Sequence, residues 1–579
     1  MRFVPNKLFG FFCVLCVLCV ESLCFSLDRE AFSITNYDLN LQIEPQQHRL
    51  GARGKITLRN DTSTSQKIAI LQISSSLDWR SIKAGDKAVQ FVRQPYTSDI
   101  DHTGSLSEAI VTLPQEVAPH ATIDLDIAYE GVVLRDATRL IRIGTPEDAA
   151  KNSDWDRIDE DFTALRGVGY VAWYPIATDV ANLSEGDSLF ELLDRWKKRE
   201  TGSKIRVKIS LHFAEPRPTI LFSGVDCGPD FVEQTSSVNG LLSAECNQPL
   251  RLDTPTLLIA SYGLMGERPI QIRFLPHHDA AAAKFAAAAE SSEALVQDWF
   301  GTPRESAKVA DLPEPDDAPF ESGVLLLTPL SDSNPVSAGL VATHQLAHAS
   351  FLSFRPWIEE GLAHFAQVLY LERQKGRQAA LDYMALHRSV LTTIEDPTAV
   401  LRSEDDSGRA LVSTNDDQLY RSKAMCVWWM LRDMIGDAAL KKAIASYKPE
   451  DDKDSSYMQR LIAAQTQRDL QWFFDDWVYH DRGLPDFKVN SAYAAKTPTN
   501  SYMLTITIEN LGSAGAEVPV DIKFGTGEMS KRIEVRAKSK ATFRVETPAP
   551  PQSIQVNDGS VPESDTTNND YKMTPESIK

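Results

Sequence analysis

Two histidines and a glutamate with the spacing of metal ligands stand past the middle of the chain. His344 and His348 are four residues apart in T-H-Q-L-A-H-A-S, within a run that predicts a helix over about 338–352. Side chains at i and i+4 share one helical face, so both imidazoles can reach one ion. A second predicted helix begins near Trp357 and holds Glu360 in its first turn. Two His and one Glu with an open fourth position are typical of catalytic zinc, so the sequence predicts one zinc ion at these residues.

The residue that follows the first histidine is a glutamine. In the H-E-x-x-H pattern of zinc peptidases this position holds the general base, whereas here it is Gln345. A carboxamide can hydrogen-bond a water molecule but cannot accept its proton. The sequence therefore predicts a metal site whose catalytic position, Gln345, lacks the group needed for hydrolysis.

These motifs resemble those of the aminopeptidase N family of gluzincins. That family pairs H-E-L-A-H with W-L-N-E-G-F-A, and the chain pairs H-Q-L-A-H with W-I-E-E-G-L-A. The resemblance implies that Glu360 is the third zinc ligand. The family usually has eighteen residues between the second histidine and this glutamate, and here eleven separate His348 from Glu360. We expect the shorter connection to alter helix packing and substrate access more than metal ligation.

The resemblance implies roles for two further residues. A G-x-M-E-N segment on an edge strand grips the free amine of the substrate in the family, and Glu321 is the matching candidate for substrate binding, although only the glutamate corresponds. The tyrosine of Y-E-K-G-A donates to the oxyanion of the intermediate, and Y-R-S-K-A places Tyr420 there. His364 lies four residues after Glu360 on the same helical face and can orient its carboxylate, or it can point into the helix core.

The composition limits the classes of partner. The chain has 579 residues, 42% of them hydrophobic and 24% charged, which is ordinary for globular domains. A formal net charge of -20 argues against nucleic acid and against anionic membranes. We therefore expect a soluble protein whose partners are peptides or another protein.

The N-terminus predicts export. Arg2 and Lys7 precede the apolar run Leu8–Val20, and small residues near Ser26 offer a cleavage site. This run is too short to span a bilayer. We interpret residues 1–26 as a signal peptide and expect a periplasmic or secreted protein without a membrane span after cleavage.

Three cysteines remain after that segment. Cys227 and Cys246 lie in a β-rich region, and in an oxidising compartment we expect them to form a disulfide. Cys426 stands in the apolar run A-M-C-V-W-W-M and is interpreted as a small buried hydrophobic residue.

The hydrophobic patterning predicts a multidomain α+β protein. Alternation of Tyr37, Leu39, Leu41 and Ile43 begins a series of short strands typical of an antiparallel β-sandwich or saddle. Helical periodicity follows, and the resemblance implies an α-rich thermolysin-like catalytic domain there. The predicted divisions are an N-terminal β domain at 27–276, the α-rich metallopeptidase-like domain at 277–485, a small C-terminal β-sandwich at 486–558 and a disordered tail at 559–579.

Three functions remain open on the sequence alone. The first is an exported zinc peptidase of aminopeptidase type in which another group serves as base. The second is a pseudopeptidase that keeps zinc and binds peptides or a protein partner through the former active-site cleft. The third is a structural module without metal, with His344 and His348 as core residues. We expect zinc binding with weak or lost peptide hydrolysis.

Overall fold

A computed structural model describes residues 27–185, 189–234, 239–251, 254–330, 335–394, 410–414 and 419–578. The predicted signal peptide lies outside these ranges, so its assignment stays a prediction. Among the helices in these ranges, none combines the length and apolar character needed to cross a bilayer.

The N-terminal region consists mainly of strands. They are β1 Phe32–Glu44, β2 Arg49–Asn60, β3 Gln66–Ser74, β4 Leu77–Ala84, β5 Lys87–Ala88, β6 Gln90–Thr97, β7 Ser105–Val117, β8 Thr122–Val132, β9 Arg157–Ile158, β10 Phe162–Leu165, β11 Lys204–Ala214, β12 Thr219–Phe222, β13 Val225–Asp226, β14 Pro229–Gln234, β15 Asn239–Pro249 and β16 Leu257–Ala260. Three helices interrupt them: α1 Thr138–Arg142, α2 Glu147–Ser153 and α3 Leu189–Glu200.

These strands form three sheets around one core. The largest has the order β14-β15-β11-β1-β2-β8-β4-β5, and the smaller ones are β3-β7-β6 and β13-β12-β16-β10-β9. The pairs are antiparallel except β1 with β11, which is parallel. Tyr37, Leu39, Leu41 and Ile43 are all buried, as their alternation predicts. The disulfide between Cys227 and Cys246, with Cα atoms 5.4 Å apart, is confirmed.

A fourth sheet crosses the predicted boundary at residue 276. It contains β17 Gly263–Met265, β18 Ile270–Phe274, β19 Ala307–Asp311, β20 Phe320–Ser322 and β21 Leu325–Thr328, in the order β17-β18-β19-β21-β20. Because β18 pairs in parallel with β19 across the intervening helix, residues before 276 belong structurally with the region after it. At the edge, β20 runs antiparallel to β21.

Helices pack beside this sheet and enclose the predicted site. They are α4 Asp279–Phe300, α5 Pro335–Ser350, α6 Pro356–Lys375, α7 Arg377–Ile394, α8 Ala424–Ile435, α9 Asp437–Ala445, α10 Tyr457–Ala463 and α11 Gln471–Phe474. A π-helical turn, Leu419–Lys423, precedes α8, and another, Asp475–Tyr479, follows α11. Their buried faces are rich in Trp, Phe and Leu and share one core with the C-terminal strands.

The C-terminal region is a sandwich of two sheets. Its strands are β22 Phe487–Lys496, β23 Tyr502–Asn510, β24 Ala516–Phe524, β25 Gly527–Val535, β26 Lys540–Thr547, β27 Pro551–Val556 and β28 Asp570–Lys572. The sheet orders are β22-β23-β26 and β25-β24-β27-β28. The expected multidomain α+β class is thereby confirmed.

The expected disordered tail is instead part of this sandwich. Strand β28 lies in it, Val561 is buried, and Glu563 accepts hydrogen bonds from the side chains of Asn557 and Asn569 and from the backbone N–H of Phe487. The segment is polar in composition, but Glu563 and the two asparagine side chains that donate to it pair with one another inside the sandwich, and paired polar groups can be buried. Composition alone did not reveal these pairings.

Candidate metal centre

Helix α5 places the two histidines. Both side chains are buried, their ring centroids are 4.7 Å apart, and their Nε2 atoms are 3.1 Å apart. At Gly339, one turn before His344, an added Cβ would lie 2.0 Å from the Tyr370 hydroxyl of α6. The missing side chain therefore lets α5 and α6 pack closely despite the short connection between them.

Helix α6 places the glutamate. It begins at Pro356, whose fixed φ suits the first helical position. Behind Glu360, a Cβ on Gly361 would lie 2.7 Å from the Cβ of Ala424 on α8, so this glycine allows α6 to rest directly on α8. Glu360 consequently faces away from α8, toward the histidines of α5.

The three predicted ligands converge. Glu360 Oε2 lies 3.8 Å from His344 Nε2, and Glu360 Oε1 lies 3.8 Å from His348 Nε2. Ligand atoms about 2.0–2.2 Å from a tetrahedral zinc ion lie roughly 3.3–3.5 Å from one another. Glu360 Oε2 is also buried without a hydrogen-bond partner, which a bound cation would explain. The two 3.8 Å distances run to different oxygens of the Glu360 carboxylate. The groups whose ligand atoms all lie within 4.8 Å of one another are Glu321 with His344 and His348, and His344 with Glu360 and His364. The donor types and the unpartnered oxygen fit zinc.

Glu321 reaches the same point from the edge strand β20. Its Oε1 lies 2.9 Å from His344 Nε2 and 3.7 Å from His348 Nε2. Burial alone would raise the pKa of the Glu321 carboxyl, but the charge and hydrogen bond of His344 hold it well below its ordinary value. The predicted amine-binding residue is thus beside the ligands, although this contact does not test that role.

Carboxylates also control the protonation of His348. Burial favours the neutral ring, yet the nearby charges of Glu360, Glu359 and Glu321 raise the pKa of His348 to about 9. Glu359 Oε1 lies 3.7 Å from His348 Nδ1. Glu359 therefore faces the ring from the side opposite Nε2, at a distance too long for a hydrogen bond.

Gln345 is buried beside His344. Its Nε2 donates a hydrogen bond to Glu321 Oε1, and its Oε1 is buried without a partner. The side chain thus fixes a neighbouring carboxylate and offers only an amide oxygen, which cannot take up a proton at neutral pH.

Tyr420 lines the same cavities as Glu321. Its hydroxyl donates to Asp194 Oδ2 over 2.9 Å. Asp194 belongs to α3, and its burial raises the pKa of its carboxyl. Tyr420 lines the cleft, but its hydroxyl would have to leave Asp194 to donate to a substrate, so the role of oxyanion donor stays a prediction.

Two cavities meet at the candidate ligands. One of about 500 Å³ is lined by His348, Glu359 and Glu360. The other, of about 440 Å³, is lined by His344, Gln345 and His364. Glu321, Tyr420 and Arg421 border both. The site therefore opens to space on two sides.

His364 lies closer to the ligands than its sequence position alone indicated. Its ring centroid is 4.7 Å from that of His344, and His344, Glu360 and His364 each offer one ligand atom within 4.8 Å of the others. Burial, with the positive charges of His344 and Arg421, lowers the pKa of His364 well below its ordinary value. The sequence reasoning missed Asp194 altogether, because no local signal connects α3 to Tyr420.

Comparisons with known proteins add a likeness of fold. No protein-family model and no curated protein matches the sequence. Among solved structures, the chain is similar to an M1 zinc metallopeptidase from Deinococcus radiodurans, with a TM-score of 0.48 and 15% identity over 79% of this chain and 95% of that one. A point mutant of that protein matches with the same TM-score and identity, over 80% and 97%. Neither likeness assigns a function to this chain.

Proposed function

We propose that this protein holds one zinc ion at His344, His348 and Glu360 and binds peptides in the adjoining cleft, with weak or lost hydrolysis. One observation carries the proposal. The Nε2 atoms of the two histidines are 3.1 Å apart, and each has one oxygen of the Glu360 carboxylate at 3.8 Å, while the adjacent Gln345 supplies no proton acceptor.

The surrounding residues suit peptide binding. A zinc ion held there would act as a Lewis acid on a peptide carbonyl. The Glu321 carboxylate lies beside the proposed ligands and can receive the N-terminal ammonium of a peptide. The Tyr420 hydroxyl can donate to a carbonyl oxygen if it leaves Asp194. The two cavities provide space for residues on either side of that carbonyl.

Hydrolysis lacks its proton acceptor. Loss of a general base costs roughly 10²- to 10⁴-fold in rate. Glu359 does not replace it, because it lies behind His348 at Nδ1. If some other group serves as base, the protein is a slow peptidase. The alternative is a pseudopeptidase that binds peptides or a protein partner.

Export belongs to the same proposal. The Cys227–Cys246 disulfide supports a periplasmic or secreted location, because such bonds persist in oxidising compartments. The cleft would then meet peptides outside the cytosol.

Zinc content, peptide binding and hydrolysis together test the proposal. Wild type and His348→Ala are titrated with a fluorescent peptide that has a free N-terminus, and zinc is measured in both. We expect zinc and peptide binding in the wild type, zinc loss in the variant, and little or no cleavage. Brisk cleavage by the wild type would favour the enzyme reading, and absence of both zinc and peptide binding would overturn the proposal.

A further inference from the structure

One end of the cavity of about 500 Å³ is rich in cations. We call it the cationic end and define it by Arg251, Arg304, Glu305 and Lys308, which all line the cavity. Two of its cations share one carboxylate, because Glu305 Oε1 lies 3.6 Å from Arg251 Nη1 and Glu305 Oε2 lies 3.5 Å from Lys308 Nζ. The cationic end thus has three cations for one carboxylate, in a chain with a net charge of -20. A local excess of positive charge attracts anions.

The cations differ in how firmly they are held. The side chain of Lys308 is only 16% exposed, and its Cδ atom lies 2.9 Å from where a Cβ on Gly224 would be. Its ammonium is therefore fixed at the wall and partly shielded from water, where its attraction for an anion is stronger than in bulk solvent. Arg251 is half exposed and can present two parallel N–H groups to a carboxylate.

The cationic end lies beside the proposed metal ligands. The backbone N–H groups of Arg304 and Glu305 both donate to the backbone oxygen of Ala349, over 2.8 and 3.4 Å. Ala349 directly follows the proposed ligand His348. Since an extended peptide advances roughly 3.3–3.6 Å per residue, a peptide held at the ligands can reach the cationic end with the residues that follow the first.

Carboxylates prevail at the ligand end of the same cavity. Glu321, Glu359 and Glu360 each have an oxygen 3.7 or 3.8 Å from a ring nitrogen of His348. Their charges would be balanced by a divalent ion and by Arg421, which also lines the cavity. An acidic side chain on the first residue of a peptide would therefore gain no net attraction there, whereas a carboxylate farther along would meet the cationic end.

We propose that the cationic end is a subsite for a carboxylate of the bound peptide, carried by an acidic side chain after the first residue or by the C-terminus of a short peptide. The inference rests on the proposed peptide binding and deepens it, because it names the substrate class as acidic peptides. The guanidinium groups of Arg251 and Arg304 can each pair with a carboxylate through two N–H groups, and Lys308 adds its charge.

The test uses tetrapeptides that differ in a single carboxylate. All have a free N-terminus and compete with the fluorescent peptide for the zinc-loaded wild type. Aspartate is compared with asparagine at the first, second and third positions of alanine peptides with an amidated C-terminus, and the all-alanine peptide is compared as free acid and amide. We expect aspartate at a later position, or the free acid, to bind at least about 10-fold more tightly than its neutral counterpart, the order expected of one charge-assisted hydrogen bond. The pair that shows the gain identifies the source of the carboxylate.

Arginine substitutions assign the preference to the cationic end. Arg251→Gln combined with Arg304→Gln should abolish it, and Arg304→Glu should shift it toward lysine at the same peptide position. The matched control is Arg195→Gln combined with Arg460→Gln, which changes the net charge equally and should keep the preference. Arg195 and Arg460 are 48% and 55% exposed, close to the 50% of Arg251, and neither is among the described residues that line the cavity.

The failure of this inference can be told apart from that of the proposed function. Equal affinities within every peptide pair, or a gain confined to the first position, would overturn the inference while peptide binding remains. A preference that persists in the Arg251→Gln and Arg304→Gln double variant would overturn it as well. A wild type that binds none of the peptides would refute the proposed function, and this inference with it.

Discussion

Restoring hydrolysis should require a proton acceptor beside His344. Gln345→Glu supplies one without changing the length of the side chain, so we expect this variant to gain activity over the wild type. Adding Tyr420→Phe, which removes the proposed oxyanion donor, should abolish most of the gain.

The expected size of the gain follows from the contact between Gln345 and Glu321. A general base contributes roughly 10²- to 10⁴-fold. The new carboxylate would stand within hydrogen-bonding distance of Glu321, and two adjacent buried carboxylates share a proton, which raises one pKa strongly. A pKa raised to roughly 8 leaves about a tenth of the base ionised at pH 7. We therefore expect about a 10- to 1,000-fold gain, increasing from pH 6 to pH 8.

The assay uses a fluorogenic aminoacyl amide with a free N-terminus and compares three proteins of measured zinc occupancy: the wild type, Gln345→Glu and the double variant with Tyr420→Phe. No gain in zinc-loaded Gln345→Glu at any pH would show that the missing base is not what prevents hydrolysis. A wild type as active as Gln345→Glu would identify another group as base.

Two predictions concern stability. Cys227→Ala with Cys246→Ala removes the disulfide. In the loop-entropy model, a separation of 19 residues corresponds to a loss of about 3 kcal/mol in the free energy of unfolding. A denaturant midpoint unchanged from wild type would contradict this prediction. Lys423→Ala should lower the free energy of unfolding more than the loss of an exposed lysine, because it removes an ammonium group that is buried against Asp481. Lys151 is exposed, so Lys151→Ala is the control for this substitution and should hardly change the melting temperature. Equal effects of the two lysine substitutions would refute the role of burial.

The sequence predicted those features that depend on local periodicity. The alternation through Tyr37 and Ile43 gave a strand with one buried face, and the i, i+4 spacing of His344 and His348 gave two imidazoles on one side of a helix. Such patterns follow from backbone geometry alone. The predicted helix start near Trp357 made Glu360 a candidate ligand, and the resemblance of its motif to a known one supported that choice.

Features set by distant contacts could not be predicted. The ring of His364 pairs with Gln367, which is fixed by Leu340 of one helix and Tyr383 of another. Asp194 and Tyr420 pair although 226 residues separate them. The domain boundary predicted at residue 276 divides a sheet, because β18 pairs in parallel with β19. The sequence of neither strand indicates which partner lies beyond the intervening helix.

The content of zinc in the purified protein tests the central claim most directly. Wild type and His348→Ala are purified without chelator, supplemented with zinc, desalted and measured by metal analysis. His387→Gln is the control, because the Nδ1 atom of His387 pairs with Ser422 Oγ. The account predicts about one equivalent in the wild type and the control, for a single site of this kind, and a sharp fall in His348→Ala. A wild type that binds no zinc after supplementation, or an unchanged zinc content in His348→Ala, would contradict it.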